Sequence, residues 1–245
     1  GTHLPAPIAA RLTAHARTLP DTDWHLPRLY DFLDALDATV IAATHSRYVI
    51  DLNRPPGGEN LYPGHETTAL VPIDTSAGVP IYPGPVPDAA EIAERRATFW
   101  QPYHDRLAQL LADTRARHGY ALLWDAHSII SVLPRMFPGK LTDLNLGTGG
   151  GSACGAGLGE RLQAIGAASP YSSVLNGRYT GGYITRHYGQ PAAHIHAVQL
   201  ELSWATYMDE AHPFAFREDL AHGVRPVIRR MIEAMIDWGA AQPRR

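Results

Sequence analysis

Tyr120-Ala121-Leu122-Leu123-Trp124-Asp125-Ala126-His127-Ser128 is the stretch from which the rest of the chain is read. Gly119 closes a helical pattern just ahead of it, and the uncharged run from Tyr120 to Trp124 reads as a buried central strand. An acid and a histidine follow at once. In open α/β sheets ligands gather beyond the carboxyl ends of the strands, so Asp125 and His127 are the first candidates for a functional site.

Working outward, Asp88 is placed to cap a long helix through Ile92, Phe99, Tyr103, Leu107, Leu110 and Leu111, kinked at Pro102. Asp21-Thr22-Asp23 offers caps for a helix from Trp24 to Leu36, whose apolar residues recur at helical spacing. Thr39–Ala43 and Tyr48–Leu52 read as short β-branched strands. Pro55 to Pro87 is rich in proline and glycine and reads as a long irregular excursion of the kind that forms lids or binding loops. Downstream, the glycine-rich Leu146–Gly151 precedes a helix from Gly157 to Ile165. Ser173–Asn176 and His194–Leu202 read as strands, and Arg217–Trp238 as an amphipathic helix. Strands alternating with helices imply an α/β fold: a single three-layer domain over residues 1–245, around a mixed, largely parallel sheet.

The bulk composition narrows the partners. The chain has 245 residues, 45% apolar, enough for one large α/β core. Its net charge of −3, from 21 basic and 24 acidic residues, gives no basic surplus to attract nucleic acid or an anionic membrane. Cys154 stands alone, so no intrachain disulfide can form, and no signal-peptide pattern or membrane-length apolar run is present. These features lead us to expect a cytoplasmic protein acting on a small molecule. Oligomeric state is not legible.

Polar residues accumulate where strands are expected to end: Asp125 and His127 after Trp124, Asn53 and Arg54 after Val49-Ile50-Asp51, and Glu201 after Val198-Gln199-Leu200. A neutral imidazole with carboxylates is the usual first shell of a hydrolytic zinc site, and a free carboxylate nearby can take the proton of an activated water. On spacing alone the ordinary readings stay open. His127 could be a polar loop residue, Asp125 a turn cap, Glu201 a solvated strand end and Arg54 a surface arginine. Gly149-Gly150-Gly151 lacks the Lys-Ser/Thr of a phosphate loop, and neither Cys154 nor Ser128 sits in a nucleophile's sequence frame.

Longer blocks carry a family resemblance. Ser46–Pro55 (SRYVIDLNRP), Trp124–Ser128 (WDAHS), Asp143–Gly147 (DLNLG), Gly181–Gly189 (GGYITRHYG) and Gln199–Leu202 (QLEL) resemble the N-formylglutamate amidohydrolases, in order, from Gly1 to about Met208. The chain is more distantly similar to aspartoacylases and zinc carboxypeptidases. The resemblance implies a zinc-exopeptidase type of fold and a divalent metal, zinc. It implies hydrolysis of an acidic N-acyl amino acid, N-formyl-L-glutamate, to formate and L-glutamate in histidine degradation. Carried across, His127 and Asp23 become metal ligands, Glu201 the general base with Asp125 as a second catalytic carboxylate, and Arg47, Asn53 and Arg54 substrate clamps. Arg178 and Arg186, flanking Gly181-Gly182, become candidates for a second substrate carboxylate. The family pattern places a strand ending Pro-His-x-Gly-Thr at its start. The sequence opens at that Gly-Thr, without the strand or its histidine, and His3 lies beyond the motif. Two alternatives remain at this level: a deacylase of another N-acyl amino acid, and a metal-free amino-acid-binding relative.

Overall fold

The computed structural model describes residues 1–61, 64 and 66–242. Among these residues four strands, β1 (Ala121–Ile129), β2 (Leu144–Gly147), β3 (Ser173–Leu175) and β4 (Ile195–Ser203), form one sheet in the order β1-β4-β2-β3. β1 runs parallel to β4, β4 antiparallel to β2, and β2 parallel to β3, so the sheet is mixed and mostly parallel.

Among the described residues there are seven α-helical segments: α1 (Ala6–Ala9), α2 (Leu26–Leu29), α3 (Ala89–Arg95), α4 (Gln101–His118), α5 (Leu158–Ala167), α6 (Tyr183–Tyr188) and α7 (Glu218–Ala240). Leu158 and Leu162 of α5 and Val224 and Ile228 of α7 pack with Leu144, Leu146, Val198, Leu200 and Leu202. Leu107 and Leu111 of α4, with Ile184 and Tyr188 of α6, pack with Ala121, Leu123 and Ile195. Alternate residues of a strand face opposite ways, so these two helix pairs lie on opposite faces and the layering is helix–sheet–helix. Among the described residues, no helix is long and apolar enough to cross a membrane.

The long helix forms where its pattern predicts. Asp88 caps α3 by accepting from the Glu91 N–H at 2.9 Å. A π-helical turn, Arg96–Trp100, then joins α3 to α4 just before Pro102, which has no N–H to give the helical ladder. Gly119 ends α4 in a left-handed conformation, φ 84°, with its N–H on the Arg115 carbonyl. α7 buries Val224, Val227, Ile228, Met231, Ile232, Met235 and Trp238, the stripe seen in the sequence. Within the described part of 55–87 there is no helix or strand.

Several expectations are overturned. No continuous helix spans Trp24–Leu36. His25 and Asp37 adopt left-handed conformations and bracket α2 and a short 3-10 turn, Leu33–Leu36, which bury the same leucines piecemeal. Thr39–Ala43 and Tyr48–Leu52 are not strands. Their β-branched residues raise strand propensity, but no neighbouring strand offers them a ladder. The Tyr48 and Val49 carbonyls instead accept from Arg95 Nη1 at 3.2 and 3.1 Å, and the Asp51 N–H donates to the Leu70 carbonyl at 2.7 Å. The sequence reading places no strand at Leu144–Gly147, where the glycine-rich Leu146–Gly151 begins, yet this segment forms β2, inside the sheet. β1 and β4 run on past Trp124 and Leu200, so Asp125, His127 and Glu201 lie within strands rather than beyond their ends.

His104 ties these parts to the site. Its Nε2 faces the Leu52 carbonyl at 2.9 Å and its Nδ1 the Tyr188 hydroxyl at 3.0 Å, while its ring stacks on Trp100 with centroids 3.7 Å apart. Trp100 Nε1 in turn donates to the Arg54 carbonyl at 3.1 Å. The irregular segment carrying Asp51, Asn53 and Arg54 is thus pinned to α4. Burial lowers the His104 pKa to about 4, against a smaller opposing contribution from the Leu52 carbonyl. The unfolded chain therefore binds more protons than the fold between about pH 4 and 6.5, and stability rises with pH across that window. The stabilisation is complete above about pH 6.5 and is lost as pH falls toward about 4, by at most about 3 kcal/mol. Urea denaturation at about pH 4.5 and 7 should show this slope in the wild type and a shallower one in His104→Gln; equal slopes would remove His104 as its source.

Candidate active site

The site is built on the alternation of two parallel strands. Register pairs Asp125 with Gln199 and His127 with Glu201, so all four side chains project from one sheet face. Their neighbours Trp124, Ala126, Val198, Leu200 and Leu202 belong to the apolar core on the other face. Asn145 of β2 stands opposite Glu201, and its Nδ2 donates to the Glu201 carbonyl at 3.0 Å. Irregular segments then close over this polar face. A cleft of about 710 Å³, counting its solvent-open mouth, is lined there by His127, Glu201, Gln199, Asn53 and three arginines, Arg47, Arg54 and Arg178.

His127 sits between two carboxylates. Its Nε2 lies 2.9 Å from Asp125 Oδ1, and its Nδ1 lies 3.5 Å from Asp23 Oδ1. The Asn53 amide nitrogen is also 2.9 Å from Nε2, while Asn53 Oδ1 accepts from the Ile184 N–H at 2.8 Å. Asp125 is fixed from behind by the Thr185 hydroxyl, which donates to Oδ2 at 2.8 Å. Asp23 reaches the site because the left-handed turn at His25 folds its segment back. The Ser128 N–H then donates to Asp23 Oδ1 at 2.7 Å, and the Tyr207 hydroxyl to the Trp24 carbonyl at 2.9 Å.

The electrostatics favour a cation at this point. Burial alone would raise the Asp23 pKa, but His127, Arg47 and the Ser128 N–H overcome it and hold the carboxyl well below the usual range. Burial likewise opposes charge on His127, yet Asp125 and Asp23 raise its pKa well above that of a free imidazole. Arg47, 3.5 Å from Asp23 and 4.0 Å from Asp51, keeps its charge against burial through Asp51, Asp23, Asp21 and Glu201. Glu201 behaves differently. Burial pushes its pKa up to about 7, with His127 pulling down and Asp23 adding to the rise. Among the described residues its side-chain hydrogen-bond partner is Gln199, which donates to Oε2 at 3.3 Å and is itself held by the Gly182 N–H, which donates to Gln199 Oε1 at 2.7 Å.

Zinc takes nitrogen and oxygen ligands at about 2.0–2.2 Å, which sets two tetrahedral ligands about 3.4 Å apart. The 3.5 Å between His127 Nδ1 and Asp23 Oδ1 has that spacing and is too long for an ordinary hydrogen bond. Asp125 on Nε2 is the kind of partner that orients a metal-binding imidazole. His127 and Asp23 therefore fit two positions of such an ion. Among the described residues no group of three His, Cys, Asp or Glu side chains converges as a ligand set.

The remaining candidates divide. Arg54 lines the cleft and is held by Thr68 and by the Asn53 carbonyl. Arg178 lines it from the opposite loop, with Nε on the Met136 carbonyl at 2.8 Å. Arg186 is not brought into the lining. It sits on α6 and donates to the Gly181 carbonyl at 2.8 Å and the Thr180 hydroxyl at 2.7 Å, bracing the turn beside the cleft. Gln199, Thr185, Thr68 and Asp51 were not among the candidates. Gln199 could have been found, because it lies two residues before Glu201 and shares its face. Thr185 and Thr68 carry no local sequence signal.

A family model for N-formylglutamate amidohydrolase matches residues 1–208. The chain is 53% identical to N-formylglutamate deformylase of Pseudomonas aeruginosa over 98% of its length and 90% of that protein's. It is 50% identical to N-formylglutamate deformylase of Pseudomonas putida, over 100% of this chain and 92% of that one. A crystal structure of N-formylglutamate amidohydrolase from Ralstonia eutropha JMP134 superposes with a TM-score of 0.79 at 25% identity, covering 97% of this chain and 91% of the other. A gene product of Agrobacterium tumefaciens shares the fold, with a TM-score of 0.73 at 19% identity.

Gly182 gives a test of how tightly the site is assembled. A Cβ there would lie 2.3 Å from Asn53 Nδ2, closer than any real contact, although the backbone at Gly182 is extended and suits alanine. Gly182→Ala should destabilise the protein by about 1–3 kcal/mol, as overpacking does. Adding Asn53→Ala should recover part of that loss in denaturation experiments; purely additive losses would show that the two side chains do not compete for space.

Proposed function

The chain belongs to the N-formylglutamate amidohydrolase family, and we propose that its cleft hydrolyses N-formyl-L-glutamate to formate and L-glutamate, a step of histidine degradation, with a divalent metal ion, zinc, as cofactor. One observation carries this reading. Glu201, with a pKa raised to about 7, shares a cleft with His127 and with the guanidinium groups of Arg47, Arg54 and Arg178. Amide hydrolysis needs a base that can take a proton and return it near neutral pH. A substrate with two carboxylates needs more than one cation.

In this reading water adds to the formyl carbon while Glu201 takes its proton. The same proton passes to the amide nitrogen as the C–N bond breaks, and the remaining hydroxyl proton of the formic acid goes to the freed amine, leaving formate and the ammonium form of glutamate. Gln199 keeps one oxygen of Glu201 in place during the exchange. Arg47, beside Asp23, offers a cation to the negative charge that develops on the formyl oxygen. Asn53 and Arg54 grip one substrate carboxylate and Arg178 the other. A bound divalent ion would supply Lewis acidity, polarising the carbonyl and making water more acidic, and His127 and Asp23 are the residues that would hold it. Asp125 acts through His127, fixing the ring from the Nε2 side.

Two variants separate ligand from base. His127→Ala should lose bound metal, measured by elemental analysis, and activity with it, while the fold persists. Glu201→Gln should keep the metal and lose about 10²–10⁴-fold in rate, the usual size of a general-base contribution. A Glu201→Gln enzyme that turns over normally would move the base elsewhere, with Asp125 the next to test.

The clamp assignment has its own measure. Arg54→Lys keeps charge and loses the fork, so kcat/KM for N-formylglutamate should fall by about 30-fold or more, the scale of truncating one partner of a buried charged pair. An amidated analogue lacking the matching carboxylate should show a much smaller loss. Equal losses on both substrates would remove Arg54 from the clamp.

A further inference from the structure

Arg54 has five N–H donors, and the protein uses three of them. Nε donates to the Thr68 carbonyl at 2.9 Å, Nη2 to the Thr68 hydroxyl at 3.0 Å and Nη1 to the Asn53 carbonyl at 3.0 Å. Thr68 therefore occupies the whole Nε–Nη2 edge of the guanidinium with its carbonyl and its own side chain. What remains is one N–H on Nη1 and one on Nη2, with no hydrogen-bond acceptor among the described residues. The Nη1–Nη2 end of a guanidinium can present two parallel N–H bonds at the spacing of a carboxylate's oxygens. Asp51 Oδ2, the nearest charge, stands 3.9 Å from Nη1 and accepts no hydrogen bond.

The segment that bears Thr68 is anchored on both sides. Arg178 Nη2 donates to the Glu66 carbonyl at 3.3 Å, and the Leu70 carbonyl accepts from the Asp51 N–H at 2.7 Å. Thr68 is thus held against a guanidinium that without it would keep only the Asn53 carbonyl as a hydrogen-bond partner among the described residues. A charged group on a flexible stem loses binding energy to the entropy of being ordered, and a partner that orders it in advance removes that cost.

We propose that Thr68 is a positioning residue for substrate recognition: its hydroxyl and carbonyl lock Arg54 so that the end-on pair of N–H groups faces the substrate carboxylate. This rests on Arg54 being the clamp. Thr68 lines the cleft with its hydrogen bonds on Arg54 and none on Glu201, so its effect belongs in KM rather than kcat. Thr68→Val keeps the shape and removes only the acceptor on Nη2, and Thr68→Ser restores it.

The test is steady-state formate release from N-formylglutamate by the metal-loaded enzyme, with the melting temperature recorded for each variant. Thr68→Val should raise KM about tenfold, the scale of one hydrogen bond to a charged group, with kcat changed far less. Thr68→Ser should return KM to near the wild-type value. In an Arg54→Lys background Thr68→Val should add little, because the fork it orients is gone. An unchanged KM in Thr68→Val, a Thr68→Ser enzyme as impaired as the valine variant, or a full tenfold effect on top of Arg54→Lys would each overturn the proposal. If Thr68→Val does not fold, Thr68→Ala carries the same comparison. Arg54→Lys alone distinguishes the two levels. Little loss there defeats the clamp reading itself, whereas a large loss with a silent Thr68→Val defeats only the role of Thr68.

Discussion

The parallel register of β1 and β4 is the constraint on which the site depends. A strand shows alternate residues to opposite faces, and pairing in register places equivalent residues of both strands on the same face. Asp125 and His127 are thereby set beside Gln199 and Glu201, while Trp124, Ala126, Val198 and Leu200 are driven into the apolar layer under α5 and α7. A slip of one residue in β4 would turn Gln199 and Glu201 into the apolar layer and Leu200 and Leu202 toward the cleft. The hydrophobic layer on one face thus fixes the chemistry on the other.

The price of such a site is buried charge, and the arrangement shows how it is offset. An isolated ion loses far more in hydration than a single neighbour returns, so buried charges persist only when paired and hydrogen-bonded. Asp23, Asp51 and Arg47 form such a set: the Ser128 N–H donates to Asp23 and the Asn53 N–H to Asp51 Oδ1, while Asp51 Oδ2, without a hydrogen bond among the described residues, has the charges of Arg47 and Arg54 at 4.0 and 3.9 Å. Glu201 stands apart with one long bond from Gln199, and burial leaves it near neutrality in its hold on a proton. The groups that bind charge and the group that moves a proton are distinguished by their partners, not by their residue type.

The described loops that close the cleft have almost no regular structure, yet several backbone groups of residues 48–54 find partners. Arg95 takes the carbonyls of Tyr48 and Val49, His104 that of Leu52, and Trp100 that of Arg54. Three side chains of one helical stretch therefore do for residues 48–54 what a neighbouring strand would do in a sheet. This frees the segment from the pleat. Asp51, Asn53 and Arg54 can then point to different partners instead of alternating between two faces.

Much of this was legible in the sequence where the determinant is local. The stripe of α7, the Asp88 cap, the Pro102 irregularity and the strand character of Tyr120–Trp124 are all set by residues within a turn or two of one another. The blocks around Arg54, His127 and Glu201 likewise named the cleft residues, because each block travels as one piece. Other features depend on partners far along the chain. Thr39–Ala43 and Tyr48–Leu52 have strand-forming side chains but no strand beside them, whereas the glycine-bearing Leu144–Gly147 has β4 on one side and β3 on the other. Arg178 and Arg186 look equivalent as neighbours of Gly181-Gly182, and only the path of the chain sends one into the cleft and the other onto Thr180. Thr68 and Thr185 are ordinary threonines until folding brings them, across 14 and 60 residues, to Arg54 and Asp125. The sequence by itself determined which elements could form and which residue types were at hand. Tertiary structure decided which of them meet, because hydrogen bonds and charges act over a few ångströms in space regardless of their distance along the chain.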